Sequence, residues 1–290
     1  MKSVRAGRGL EGFARIVFLV STAVSILALG MILFFIFSRS IPTIAKIGIG
    51  EFFFGTEWKP LAQDPKFGIL PMIVGSIYAT LGAIILGVPV GLMTAVYMAF
   101  YAPKKIYHLL KAGINLLAGI PSVVYGLFAF SVFVPFIRKN FGGPGASLLA
   151  GIFVLAIMIL PTIVSLAESS LRSVPSAYYE ASIGLGASKE RTIMNVILPA
   201  AKSGVFSAMI LGTGRAIGET MAVAMVLGNQ AIMPRSLIQG ARTMTAHIVT
   251  EMAYADAFHK DVLIATGAVL FLFILIINIS FNAIKNKEKI

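Results

Sequence analysis

Cysteine is absent from all 290 residues, so the chain has no disulfide, no thiolate metal site and no catalytic thiol. Charge is scarce as well. Asp, Glu, Lys and Arg make up 12% of the residues, against about 25% in soluble domains. No Gly-x-x-x-x-Gly-Lys-Ser/Thr run occurs, so the chain carries no phosphate loop of its own. It also lacks a His-Glu-x-x-His pair, a Ser/His/Asp arrangement and any clustered metal ligands. His108, His247 and His259 are scattered over predicted loops and receive no role. Nothing here supports an enzyme, and no cofactor is expected in this chain. The net charge of +12 would suggest nucleic acid in a soluble protein, but no basic groove interleaved with aromatics accompanies it, so no nucleic-acid partner is expected.

What is abundant is apolar sequence, 58% of the chain. Membrane lipid is the expected solvent, and residues 1–290 read as one all-α integral membrane domain with no internal repeat. A spanning helix needs about 20 apolar residues. Six stretches meet that need, at about 16–38, 73–100, 114–136, 148–166, 204–227 and 262–283. The first is preceded by Lys2, Arg5, Arg8 and Arg15 like a signal peptide. Its apolar run is too long and no small-residue cleavage site follows, so an uncleaved span is expected. Breaks or bends are expected near Pro89 and at Gly119-Ile120-Pro121-Ser122, since proline removes a helical hydrogen bond. The second break either lines a cavity or is a simple packing kink. Six spans put both termini on one side. With the N-terminus inside, the inner segments hold fourteen Lys and Arg and the outer loops nine, which places both termini in the cytoplasm.

One polar island, at about 174–199, interrupts the apolar runs on that inner side. Ser173 suits a helix cap with Pro175 in the first turn, Gly186 a left-handed turn, Ser188 a second cap, and Pro199 the start of the next span. The expected structure is a helix–turn–helix hairpin at the membrane surface. Tyr178 and Tyr179 are anchors of the kind interfaces favour, and the small Ala181 and Ser182 leave room for another surface to approach. The spacing Glu180-Ala181-Ser182, Gly186, Val196, Leu198-Pro199 resembles the EAA loop of ABC importer permeases, with Ser and Val as conservative departures. That resemblance implies that Tyr178, Tyr179, Glu180, Ala181, Ser182 and Gly186 form a coupling helix docking into a cytoplasmic ATPase.

Two charges fall inside the fifth span. An arginine or acid at a helix centre costs about 2.5–3.5 kcal/mol on insertion scales. Arg215 and Glu219 are four residues apart, so on one continuous helix they share a face and can pair. Gly214, Gly218 and Ala222 form a small-residue stripe along which a second helix can approach. Two readings stand. The pair holds the bundle together, or Arg215 faces a path and attracts an anion, with Glu219 as its partner or as acceptor of the proton of a protonated oxyanion.

Four further segments narrow the resemblance. They are Phe54-Gly55-Thr56-Glu57-Trp58-Lys59-Pro60, Phe67-Gly68-Ile69-Leu70-Pro71, Gly119-Ile120-Pro121-Ser122-Val123-Val124-Tyr125-Gly126 and Gly214-Arg215-Ala216-Ile217-Gly218-Glu219-Thr220-Met221-Ala222-Val223. Together they resemble the phosphate ABC importer permeases of the PstC type, over about Glu51 to Asn278. The resemblance implies a multi-pass permease of a bacterial or archaeal plasma membrane, with the ABC importer type I permease fold. It implies a heterodimer with a PstA-like sister permease, two ATPase subunits that carry ATP and Mg, and an external phosphate-binding protein. A permease for molybdate or sulfate in the same machinery is the alternative. An ion-gradient-driven secondary transporter is a further one, against which the coupling-loop spacing argues.

Overall fold

The computed structural model describes residues 2–287, with the backbone alone at 2–10, 12, 282 and 284–287. The flanking Lys2, Arg5, Arg8, Lys285, Lys287 and Lys289 therefore lie outside the described side chains. The elements run α1 (Lys2–Ile47), α2 (Ile49–Phe54), β1 (Trp58–Lys59), β2 (Lys66–Phe67), α3 (Leu70–Phe100), α4 (Lys104–Gly119), α5 (Ser122–Phe141) and α6 (Leu148–Arg172). They continue with α7 (Ser176–Gly184), α8 (Lys189–Thr192), a π turn (Ile193–Ile197), α9 (Leu198–Gly218), α10 (Met221–Val226), α11 (Met244–Met252) and α12 (Ala257–Lys287). Among the described residues six stretches are long and apolar enough to cross a membrane: 13–47, 70–100, 122–141, 148–172, 189–218 and 257–281. Each overlaps one expected span, but the third begins only at Ser122 and the fifth ends at Gly218.

The centre of the bundle is the pair α3 and α6, lying parallel. Glycines on α3 receive isoleucines of α6. A Cβ at Gly82 would lie 2.5 Å from Ile152 Cδ1, one at Gly87 2.7 Å from Ile159 Cδ1, and one at Gly91 2.8 Å from Ile163 Cγ2. In lipid no hydrophobic force draws helices together, so this close interlocking is what binds them. Antiparallel α9 closes on α6 beside α3, with Gly212 against Ile163 and Gly204 against Ser170, so Ile163 is shared by the two neighbours. Of the expected stripe, Gly214 and Gly218 have nothing within 4 Å of a would-be Cβ, so among the described residues no helix packs on them. Ala222 is packed, against Gly126 of α5. α1 lies outside the bundle against α12, held by Phe37 edge-on to Phe271 and by Arg39 to Asp261 at 3.3 Å.

Proline does not break α3 or α6. Both run through, at Pro89 and Pro161, so the bend expected near Pro89 does not end a helix there. The Gly119–Ser122 break is real: α4 ends at Gly119, Ile120 and Pro121 are extended, and α5 begins at Ser122. The Tyr125 hydroxyl bridges it by donating to the Leu117 carbonyl at 2.8 Å.

The segments between helices form two layers at opposite ends. One holds the 173–197 hairpin, the α3–α4 turn, the start of α1 and the end of α12. The other holds α2, the β1–β2 hairpin, the 142–147 turn, the 228–243 segment and α11. In that second layer Gly55 and Gly68 touch through their backbones, a Cβ at Gly68 falling 2.4 Å from Gly55 C. This contact requires glycine at both Phe-Gly steps.

Candidate functional site

α9 carries Arg215 to the middle of the bundle, and there the helix ends. The expected continuous span across 204–227 is corrected: α9 stops at Gly218, Glu219 is extended (φ −67°, ψ 133°), and α10 starts at Met221. The break is fixed from two sides. A Glu219 carboxylate oxygen accepts from Ala222 N at 3.1 Å, capping α10, and the Thr245 hydroxyl of α11 donates to the Glu219 carbonyl at 2.8 Å. This satisfies backbone groups that a broken helix leaves free at membrane depth.

Because the helix ends between them, Arg215 and Glu219 do not pair. The shared-face argument needed an unbroken turn, and that turn does not exist. Arg215 instead reaches Thr162 of α6, its Nη1 donating to Oγ1 at 3.3 Å. Among the described residues it has no carboxylate partner. Both side chains are half-buried, on the side where Gly214 and Gly218 leave the helix uncovered. Two residues back, on another side of α9, the Thr213 hydroxyl is buried with no hydrogen-bond partner among the described residues.

The hairpin forms where expected, with different details. Pro175 sits at the cap position of α7, and the Ser173 hydroxyl turns back to the Ser170 carbonyl at 2.8 Å, so Ser173 closes α6 and does not open α7. Gly186 is left-handed at φ +84°. Its N–H meets the Ile183 carbonyl at 2.9 Å, and that of Ala187 meets Ser182 O at 3.2 Å, the paired bonds of a Schellman ending. Ser188 caps α8 through Arg191 N at 3.3 Å. The second arm does not stop before Pro199. It widens into the π turn and continues as α9. Pro199 has no N–H for the carbonyl four residues back, and the π turn sits just ahead of it.

α7 buries no residue fully. Tyr178 is 53% and Leu185 90% exposed, and Glu180 and Ala181 are exposed beside them. Tyr179 is half-buried and packs inward beneath α7. Ser182 also turns inward, its hydroxyl 2.9 Å from that of buried Thr192 on the other arm. The surface that approaches Ser182 is therefore the hairpin's own second arm.

A second polar cluster, at the opposite layer, was not foreseen. Glu251 is 6% exposed and accepts from Trp58 Nε1 at 2.9 Å and from Arg242 Nη1. His259 Nε2 lies 3.0 Å from Oε2, the oxygen that Trp58 also reaches. Arg242 also holds the Asn229 carbonyl through Nη2 at 2.9 Å. His247, with no exposed surface, stands edge-on to Trp58 at 4.2 Å. Burial, with help from Arg242 and His259, pushes its pKa down to about 3. One signal was available in the sequence: His247 and Glu251 are four apart behind the helix-capping Thr243.

The comparisons with known proteins agree with this architecture. The family described as "Binding-protein-dependent transport system inner membrane component" matches residues 87–287. A probable ABC transporter permease protein, YqgH of Bacillus subtilis, is 41% identical over 78% of this chain and 76% of its own length. The phosphate transport system permease protein PstC of Xylella fastidiosa is 36% identical over 77% of this chain and 74% of its own. Among solved structures, a chain of the inward-facing MetNI methionine ABC transporter superposes with a TM-score of 0.63 at 21% identity, covering 76% of this chain and 95% of that one. At that identity the superposition speaks for the fold alone. The chain belongs to the inner membrane components of binding-protein-dependent transport systems, and it is a membrane-spanning permease subunit of an ABC importer.

Proposed function

We propose that this permease imports inorganic phosphate, with Arg215 on the path and the 173–197 hairpin as the contact to the ATPase. The observation that carries the path is the unpaired Arg215 at the broken middle of a spanning helix. A cation with no carboxylate partner is held where it costs free energy, and an oxyanion is the ligand that offsets that cost. A guanidinium also grips two oxygens of an oxyanion at once. Glu219 uses one oxygen on Ala222 N, and its other can accept the proton that phosphate, unlike sulfate, still carries near neutral pH. Phosphate over other oxyanions is supported by the several PstC relatives at 29–36% identity.

Tyr178, Glu180, Ala181 and Leu185 form the exposed face that meets the ATPase, while Tyr179, Ser182 and Gly186 hold the hairpin in shape. The charge bias puts this layer and both termini in the cytoplasm and the Glu251 layer outside, toward the binding protein. The remaining partners are a PstA-like sister permease and an ATPase dimer holding ATP and Mg. The test is reconstitution of all these subunits in proteoliposomes. ATP-dependent uptake of phosphate but not of sulfate or molybdate is expected. Preference for either of those would favour the other-oxyanion reading, and uptake driven by an ion gradient without ATP would overturn both.

A further inference from the structure

α7 contributes no fully buried residue, yet any force from an ATPase must enter the bundle through this hairpin. Its attachment is therefore concentrated elsewhere. Lys189, the first residue of α8, sends its Nζ to the Phe100 carbonyl at 2.6 Å and lies 4.3 Å over the Tyr101 ring. Arg172, at the end of α6 just before the hairpin, donates from Nη2 to the Met98 carbonyl at 2.9 Å. Met98 and Phe100 are in the last turn of α3, whose final carbonyls lack helical partners and attract cations.

The same Arg172 reaches Glu168, Nε to Oε1 at 2.5 Å, and its guanidinium stacks 4.5 Å over Tyr107 of α4. Glu168, 2% exposed, further takes Lys111 Nζ at 2.8 Å and the Tyr107 hydroxyl at 3.1 Å. The two stems of the hairpin thus hold the carboxyl end of α3, and one of them also holds α4. α3 is the helix keyed by its glycines into α6, and α6 supplies Thr162 to Arg215.

We infer that Lys189 and Arg172 are positioning residues for transport, a clasp through which displacement of the hairpin pulls the end of α3 and so reaches the path. Lys189 points away from the exposed α7 face, so its role is separable from docking. The inference rests on the reading of the hairpin as the ATPase contact.

The test uses the complete importer in proteoliposomes and reads phosphate transported per ATP hydrolysed. Lys189→Met keeps the aliphatic stem and removes the donor. The amount of co-purified ATPase should be unchanged and ATP turnover retained, while the transport-to-hydrolysis ratio falls about tenfold, the order expected for one lost charge-assisted hydrogen bond. Lys189→Arg should restore most of the ratio, since it can still reach the carbonyl. A ratio unchanged in Lys189→Met, or uptake and hydrolysis falling in step, overturns the clasp. A wild-type chain that recruits no ATPase overturns the hairpin reading instead, and the two failures are distinguishable.

Discussion

Arg215 and Arg242 belong to one chain and stand in opposite circumstances. Arg242, in the layer that holds α11, directs its donors inward, to Glu251, to the Asn229 carbonyl and toward His247 Nδ1 at 3.3 Å. Arg215, in the middle of the bundle, has one threonine hydroxyl at 3.3 Å. The first is a brace. It neutralises and fixes Glu251, which in turn ties α11 to β1 through Trp58 and to α12 through His259. The second has no carboxylate on it among the described residues. A carboxylate closing on an arginine makes it a brace, whereas the path role proposed for Arg215 needs the fold to keep a carboxylate away. Here the fold does so by ending α9 before Glu219 and turning that carboxylate onto Ala222 N.

The contrast can be broken from either end. The largest effect is expected at the brace. Arg242→Ala leaves buried Glu251 without its cation and should destabilise the α11 layer by about 3–5 kcal/mol. A thermal unfolding scan in detergent would show the loss, with yield falling in parallel. An unchanged midpoint would mean that the cluster braces nothing.

Next is the pH response of that layer. His247 titrates at about 3 in the folded chain against 6.5 for the free side chain. Between those values the unfolded chain binds a proton that the folded one refuses, so stability falls as pH drops from about 6.5 toward 3. The groups around it are Arg242, Glu251, His259 and Trp58. Unfolding midpoints at pH 7.5 and 5 should differ in that direction, and His247→Gln should flatten the difference.

A smaller effect is expected at the hairpin. Gly186→Val forces a β-branched residue into a left-handed turn at about 1–2 kcal/mol, with open space around it and no clash. The chain should insert normally while recovering less ATPase on co-purification. Normal assembly and uptake would count against the hairpin as the docking element. Smallest of all, Ser182→Ala removes the bond to Thr192, about 1 kcal/mol, and should lower ATPase recovery only slightly.

The spans were readable because a bilayer imposes length and disfavours charge, so five uncharged runs and a sixth with only Arg215 and Glu219 need no partner to be recognised. The hairpin was readable because its signals are local: Gly186 for the turn and Ser188 for the cap. What escaped was non-local. The α9–α10 break falls at Gly218-Glu219-Thr220, without a proline, and is stabilised in part by a hydroxyl from Thr245. The Trp58–Glu251 bond joins residues 193 apart. Nothing near either residue announces the other, and the histidines beside them looked like scattered loop residues for the same reason. The Arg215–Glu219 pairing was a sound inference from a helical premise that tertiary contacts removed.

The central claim is that Arg215 serves the anion and not the scaffold. The direct measurement is phosphate uptake by proteoliposomes holding the assembled importer with Arg215→Gln, at matched amounts of complex. Uptake should fall about 10- to 100-fold, the loss of one charge-assisted contact worth about 1.5–3 kcal/mol, while the unfolding midpoint of the complex stays at that of the unsubstituted importer. Near-normal uptake, or a loss of uptake that tracks a loss of folded complex, would contradict it.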